Sequence, residues 1–507
     1  MQNEIQVGKY TLESLTTGMY SNPKIVYREY IQNSVDSLEN AVSKNVIEKQ
    51  SMRIDIIIDE ENSVIRVRDN GTGISSNEAI ATLMNIGSSK KRHSNNRGFR
   101  GIGRLGGMSY CDTLIFSTSA ENENVKTTVS FNCKKLRELL VPGANDELDL
   151  SAVLDAVTTT EVVYEKPEKH YFIVEMQGVS SFSDLLNIES VKSYISQVAP
   201  LPYKTRQFLY SSDLHRNLME SGYDLEEFPV FVGENEQDLE PIYKPNRHRY
   251  HSDRNKMKND EILKMQFFDV YVDDELYALG WYGDCNWYGS LSEHEIAGIR
   301  VRKGNILIGD NKTLNNIFRE SRFNDWTQGE LFIVTDKLIP NARRDDFEQT
   351  NEYYKFIAKL QDGIGYEITK KIRDASIARN NTSAKVLNEV KRQLGDATVV
   401  IEEGFNSSID KNRLLATLVQ AEDTLKKTKV KPDLQLQKDD LQKEISAKIG
   451  EVSESNNYKI NQINSGIDKK SKKILAIVSD ILSQKLSKPL VDEIIEEIIR
   501  TLNRKGN

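Results

Sequence analysis

Residues 27–42 read YREYIQNSVDSLENAV, and the spacing of their polar side chains sets the reading of the fold. On a helix each residue turns by about 100°. Glu29, Asn33, Asp36 and Asn40 then share one narrow stripe, while Ile31, Val35, Leu38 and Val42 share the opposite face. One side packs into a core and the other presents a carboxylate, an amide and a second carboxylate. Taken alone, the pattern reads first as an ordinary surface helix with solvated acids.

The next segments change the balance. Residues 53–71, RIDIIIDEENSVIRVRDNG, alternate apolar and polar positions at Ile54, Ile56 and Ile58 and again at Ile65 and Val67, as two strands joined by a polar turn. The second strand runs into Asp69-Asn70-Gly71-Thr72-Gly73-Ile74. An acid followed by two glycines makes a tight turn whose backbone can approach a flat ligand closely. The carboxylate there can accept a hydrogen bond from an exocyclic amine such as that of adenine. A plain Asp-Asn-Gly hairpin would read the same way. Residues 86–110, IGSSKKRHSNNRGFRGIGRLGGMSY, then place Gly98, Gly101 and Gly103 ahead of a helix-like stretch. Glycines at that position expose backbone N–H groups to an anion. Ser88, Ser89, Lys90, Arg97, Arg100 and Arg104 are further phosphate partners, and a flexible surface loop is the competing reading. No GxxxxGK[ST] loop is present, and the glycines lack the strand and later acid of a dinucleotide fold.

Composition bounds the remainder. A chain of 507 residues is too long for one core. No apolar run approaches the roughly 20 residues that cross a bilayer, and the start MQNEIQVGKY lacks a secretory pattern. Cys111, Cys133 and Cys285 are scattered, which fits a reducing cytoplasm. A net charge of −8 argues against a whole-protein nucleic-acid footprint and leaves room for local basic patches such as KPNRHRYHSDRNKMK, 244–258.

The order and spacing of the three segments resemble the GHKL ATPase superfamily, which includes DNA gyrase, heat-shock ninety (HtpG-type) chaperones, histidine kinases, MutL and MORC proteins. Glu29, Asn33 and Asp36 meet its E-x-x-x-N-x-x-D motif. Asp69, Gly71 and Gly73, with Ile74 after them, meet D-x-G-x-G, and Gly98, Gly101 and Gly103 meet G-x-x-G-x-G around Ile102. The resemblance implies a Bergerat-type α/β sandwich that takes ATP and Mg²⁺. It implies that Glu29 activates water, Asn33 coordinates the magnesium, Asp69 reads adenine, and Gly98 to Gly103 close as a lid. A supporting threonine expected on a later strand is missing: Phe172 stands near that place in FIVEMQG, and Thr158, Thr159 and Thr160 are unassigned.

Residues 330–349, ELFIVTDKLIPNARRDDFEQ, resemble the middle domain of heat-shock ninety chaperones. The resemblance matches Asn341 and Arg344 to that domain's loop, where the arginine reaches the γ-phosphate. Arg343 is its immediate competitor. Beyond about 385 aromatic residues nearly vanish. Leu414, Leu415, Leu418, Val419 and Leu425 form one helical stripe, Leu434, Leu441, Ile445 and Ile449 another, and Ile474, Ile477, Val478, Ile481 and Leu482 a third before Pro489. A last amphipathic helix runs from Val491 to Leu502. Such stripes make helical hairpins or coiled coils.

The expected architecture is α+β: an ATPase domain over 1–200, an α/β middle domain over 201–384, and an α-helical, coiled-coil-like region over 385–507. The implied function is a Mg-dependent ATPase driving a dimeric, chaperone-like clamp in the cytoplasm, with the tail supplying either a homodimer contact or an intramolecular bundle. Two alternatives stand beside a protein client. One is a MORC- or MutL-like nucleic-acid clamp in bacterial antiviral defence. The other is an ATP-gated scaffold for a partner protein.

Overall fold

The computed structural model describes residues 22–84, 103–141, 143, 148–181, 183–253, 256–380, 382–405, 408–430, 432–455, 457–458 and short runs between 474 and 501. The chain forms two compact units, Met1–Cys285 with Ser290–Tyr366, and Asn286–Gly289 with Glu367–Asn507.

The first unit opens with α1 (Ile25–Ser43). The hairpin read from residues 53–71 is β1 (Ile54–Asp59) and β2 (Val64–Asp69), paired antiparallel with Ile54 opposite Asp69. The alternation is explained by burial: Ile54, Ile56, Ile58, Ile65 and Val67 all point into the core. After α2 (Ser76–Met84) come β3 (Thr113–Ser119), β4 (Val125–Asn132), α3 (Cys133–Leu139), α4 (Leu150–Val157), β5 (Thr158–Tyr164), β6 (Tyr171–Gln177), α5 (Ile188–Val198) and α6 (Ser211–Glu220). Asn132, Asp149 and Asn187 each cap the helix that follows by accepting from a backbone N–H. With β7 (Val230–Gly233) and β8 (Glu240–Ile242), the strands form one sheet in the order β5-β4-β3-β6-β2-β1-β7-β8. Among the described strands of this sheet, only β1 and β7 pair in parallel. Tyr27, Ile31, Val35 and Leu38 of α1 join the core on this sheet, so the helix is pinned along its apolar face and its polar stripe is fixed in direction.

A two-stranded ribbon follows, β9 (Arg249–Ser252) with β10 (Lys258–Glu261). The second sheet holds β11 (Lys264–Val272), β12 (Glu275–Asp284), β13 (Gly298–Lys303), β14 (Ile306–Ile308) and β15 (Gln328–Ile333), ordered β11-β12-β15-β13-β14. Asp273 and Asp274, both at positive φ, turn β11 into β12, and Gly304 with Asn305 turn β13 into β14 in the same way. Two consecutive positive-φ residues match the right-handed twist of the strands they join. The described fold of this unit closes with α7 (Asn351–Leu360), capped by Thr350, and a π-helical turn at Gln361–Gly365.

Every residue of β15 is buried, including Glu330. Its carboxylate accepts from the Arg302 guanidinium, from Tyr203 and from the Trp281 indole N–H at 3.3 Å, with Lys244 Nζ at 3.4 Å. Burial pushes the Glu330 carboxyl up, but Lys244 and Arg302 outweigh it and hold it at about 2. Arg302 also donates to the Gln197 carbonyl of α5 at 3.1 Å, and Arg300 reaches the Gln197 side chain at 3.3 Å. One carboxylate thus organises cations that tie the second sheet to a helix of the first.

In the second unit, α8 (Tyr366–Asn380) is followed by α9 (Thr382–Glu403), α10 (Ser408–Lys427) and α11 (Pro432–Glu454). The last three pack on one another around Leu387, Leu394, Leu418, Leu425, Leu441 and Ile445. The first two stripes seen in the sequence therefore meet within one chain as a helical bundle, whereas Ile474, Ile477 and Ile481 of the third are exposed. Val419 departs from its stripe and is half exposed. Among the described residues, no helix is long and apolar enough to cross a membrane.

Removing Glu330 leaves Arg302 and Lys244 buried without their counter-charge. Glu330→Ala is expected to lower the unfolding free energy by about 3–5 kcal/mol, read by urea or thermal unfolding. A loss below about 1 kcal/mol would show that the cluster does not hold the unit together.

Candidate functional site

Glu29 and Asp36 lie on α1 and are 8% and 2% exposed. Asn33, between them on the same stripe, is half-buried. These are therefore not the solvated acids of a surface helix, since buried carboxylates persist only with partners. Glu29 Oε1 lies 3.7 Å from Arg28 Nη2 and 3.8 Å from Arg344 Nε. The neighbouring guanidinium is fixed in turn: Arg28 donates to the Arg343 carbonyl at 2.9 Å and the Arg344 carbonyl at 3.4 Å. The loop that offers these carbonyls is bent at Arg344, whose φ is 55°. The Arg344 side chain is largely covered, whereas Arg343 is exposed and contributes its backbone.

Gly103 begins the 3-10 helix Gly103–Ser109. A Cβ placed there would come within 2.1 Å of Glu29 Oε2. The backbone at the end of the glycine-rich segment is therefore pressed against this carboxylate, and a side chain at 103 would displace it. Ser88, Ser89, Lys90, Gly98, Arg100, Gly101 and Ile102 lie outside the described residues.

Asp69 ends β2 and is 1% exposed. Its Oδ1 accepts from Ser37 Oγ at 3.0 Å and from the Gly71 N–H at 2.9 Å. Its Oδ2 has no hydrogen-bond partner. Burial pushes the Asp69 carboxyl up to about 6, against the Gly71 N–H and the Ser34 and Ser37 hydroxyls. An unsatisfied buried acceptor is costly, so this oxygen is suited to a donor brought by a ligand. The glycines make the approach: a Cβ on Gly71 would meet Ser37 Oγ at 2.1 Å, and one on Gly73, at φ 63°, would meet the Ser119 carbonyl at 1.9 Å. Ile74 is set by its own N–H, which donates to Thr118 Oγ1 at 2.8 Å.

Four positioning side chains escaped the sequence reading: Arg28, Ser37, Thr118 and His170. Thr118 donates to the Tyr171 carbonyl while accepting from Ile74. His170 Nδ1 lies 2.8 Å from the Gly71 carbonyl, an acceptor only, so that nitrogen carries the proton. Phe172 does sit opposite Asp69 in the sheet, and Thr118 is the next residue along the same row. Thr158, Thr159 and Thr160 belong to β5, at the far edge and four strands from β2, and are not part of the site.

These features fit an adenine nucleotide. They provide a free buried acceptor for an amine, a glycine turn without side-chain bulk, and a carboxylate facing an arginine. Asn33 supplies an amide oxygen of the kind a hard cation takes. Among the described residues no group of three or more His, Cys, Asp or Glu could hold a metal by itself. Magnesium ions are commonly held through a nucleotide's phosphates together with one or two side chains.

Comparison with known proteins agrees with this geometry. Residues 20–155 match the family of histidine kinase-, DNA gyrase B- and HSP90-like ATPases. This part of the chain is a GHKL-type ATPase domain. A stretch of 84 residues is 33% identical to the chaperone protein HtpG of Acinetobacter baylyi. The match covers 15% of this chain and 13% of that chaperone, so the likeness is to one part of it. In this domain α1 carries Glu29 and Asn33, Ser37 of the same helix bonds Asp69 beside Gly71, and Gly103 abuts Glu29.

The buried Asp69 charge has a measurable consequence. Its folded value near 6 lies above its ordinary value of 3.8, so the folded state holds the extra proton between them and stability falls as pH rises through that window. Above it the full cost, about 3 kcal/mol, is present. Asp69→Asn is expected to raise the thermal midpoint of the ligand-free protein at pH 8, with the gain shrinking below pH 6 and gone near pH 4. A pH-independent change would contradict this assignment.

Proposed function

We propose that this protein binds ATP with Mg²⁺ and hydrolyses it, with Arg344 completing a site that the GHKL domain begins. The observation that carries the reading is the 3.8 Å approach of Arg344 Nε to Glu29 Oε1. A guanidinium beside the carboxylate best placed to activate water is also beside the phosphate that water attacks. In this reading Glu29 takes a proton from water as the water oxygen bonds to the γ-phosphorus and the bond to the β-phosphate oxygen breaks. Arg344 spreads the charge that gathers on the phosphoryl oxygens. Magnesium bound to the phosphates, held by Asn33, would neutralise their charge. Asp69 takes the adenine amine, with Asp36 supporting the helix face. Gly98 to Gly103, with Gly101 and Ile102 between them, close over the phosphates as a lid, and Ser88, Ser89, Lys90 and Arg100 are further phosphate partners.

The arginine leaves Glu29 when the γ-phosphate offers a stronger partner, and this exchange couples nucleotide state to the loop that carries it. Residues 1–200 then carry the nucleotide, 201–384 the arginine, and 385–507 a partner contact. A homodimeric, chaperone-like clamp in the cytoplasm is the form this takes. Its support is the likeness to HtpG and three exposed isoleucines of the second unit, Ile474, Ile477 and Ile481, at helical spacing. Such a row is a surface for a second copy or a protein client.

Turnover and affinity separate the roles. Arg344→Ala should lower ATP turnover roughly a hundredfold while nucleotide affinity changes little, and Arg343→Ala should keep most of the activity. Glu29→Ala should bind ATP and abolish turnover. A Glu29→Ala protein that hydrolyses at the parent rate would sink the base assignment, and equal losses in Arg343→Ala and Arg344→Ala would sink the arginine's.

A further inference from the structure

Within the first unit, two loops distant in sequence meet at an open groove of about 400 Å³. Its lining is Lys204, Arg206 and Gln207 from one loop and Arg247, His248 and Arg249 from the other. Four permanent cations and no carboxylate line it, in a chain whose net charge is −8. Arg249 has an outside partner, Glu261 at 3.2 Å. Lys204, Arg206 and Arg247 pair with no carboxylate among the described residues. Like charges gathered in one concavity repel unless an anion sits among them.

The groove is held open by its backbone. The His248 N–H and its ring Nδ1 both reach the Gln207 carbonyl, at 2.9 and 3.0 Å. Gln328, buried at the start of β15, accepts from the Arg247 N–H at 3.3 Å and donates to the Arg247 carbonyl at 3.0 Å. The cations are thus mounted on a fixed frame, with little ordering left to do on binding. Basic residues also continue past the groove. Arg249 starts β9 with its side chain exposed, and the turn into β10 carries exposed Lys256; Lys258, opposite Ser252, shares that residue's buried face and is not part of this surface. Three residue steps along β9 cover about 10 Å. That carries the basic surface past a single phosphate to its neighbours along one nucleic-acid strand. A single nucleotide or inorganic phosphate would use the groove and leave the ribbon idle.

We propose that this groove and ribbon bind the phosphodiester backbone of a nucleic acid, without reading its sequence. The inference is independent of ATP hydrolysis, because the groove residues are none of those assigned to the nucleotide. A two-stranded ribbon is an element that nucleic-acid grooves admit, and backbone contacts of this kind set affinity through counterion release.

The test is fluorescence anisotropy on the full chain without nucleotide, using a labelled DNA duplex, its single strand, and RNA of the same sequence. Binding should weaken linearly on a log–log plot between about 50 and 200 mM salt, at close to −0.9 per phosphate contacted for the duplex. The strongest of the three names the natural form. Lys204→Gln with Arg206→Gln, both exposed positions, should reduce the duplex slope by roughly 2 and weaken binding tenfold or more at about 50 mM salt. Arg206→Lys with Arg247→Lys keeps the charge and should retain the slope, which separates lost charge from lost folding. Removing two exposed lysines of the second unit, Lys391 and Lys443, should change nothing. No binding at low salt, or equal binding by the Lys204→Gln/Arg206→Gln protein, would overturn the proposal. So would displacement by inorganic triphosphate as effective as by nucleic acid at equal phosphate, which would assign the groove to a small anion.

Discussion

The buried carboxylate of Glu330 is the contact on which the arrangement of the first unit rests. Burying it alone would be prohibitive, yet Arg302 and Lys244 hold it ionised at about 2. Because Arg302 and Arg300 continue to Gln197 of α5, the same charges fasten the second sheet to the helical layer of the first. This fixes where the chain beyond β15 emerges, and Arg343 follows ten residues after its last residue, Ile333. The polar cluster does not add stability over a well-packed apolar joint. It supplies direction, since guanidinium and carboxylate geometry specify one docking where an apolar face would allow several.

A second set of charges surrounds Glu29. Arg28 and Arg344 flank Glu29, and Arg28 also holds the carbonyls of the loop from which Arg344 projects. The helix that bears the carboxylate thus grips the backbone of its own partner residue. Gly103 completes the enclosure by bringing the end of the glycine-rich segment against Glu29. Asp69 stands apart, organised by Ser37 and Gly71 and left with one free oxygen. It carries a stability cost in the ligand-free protein that a bound amine would offset, which is a common way for binding sites to store free energy.

Much of this was legible in the sequence because period and chemistry agree there. The α1 stripe follows from 3.6-residue spacing, and β1 and β2 follow from strict alternation. Asp69 and its glycines announce a turn whatever it holds. The supports were not legible, because each depends on a partner far along the chain. Ser37 matters through its distance to Asp69, His170 through the Gly71 carbonyl, and Arg28 through a loop more than three hundred residues away. Thr118 was missed because strand order is not written in local sequence: β3 lies beside β6, one strand beyond β2. The tail shows the same limit. Its apolar stripes are plain, but a stripe facing another helix of its own chain looks like one facing a second copy. Only the packing of α9, α10 and α11 shows that most of it is used internally.

Whether Arg344 completes the nucleotide site is tested most directly by a crystal structure with magnesium and a non-hydrolysable ATP analogue. The Arg344 guanidinium should then lie on the γ-phosphate, with Glu29 released from it and facing a water in line with that phosphate, Asn33 on the magnesium, and Asp69 Oδ2 on the adenine amine. A triphosphate bound in the pocket with Arg344 still paired to Glu29, or with Arg343 on the phosphate in its place, would contradict it.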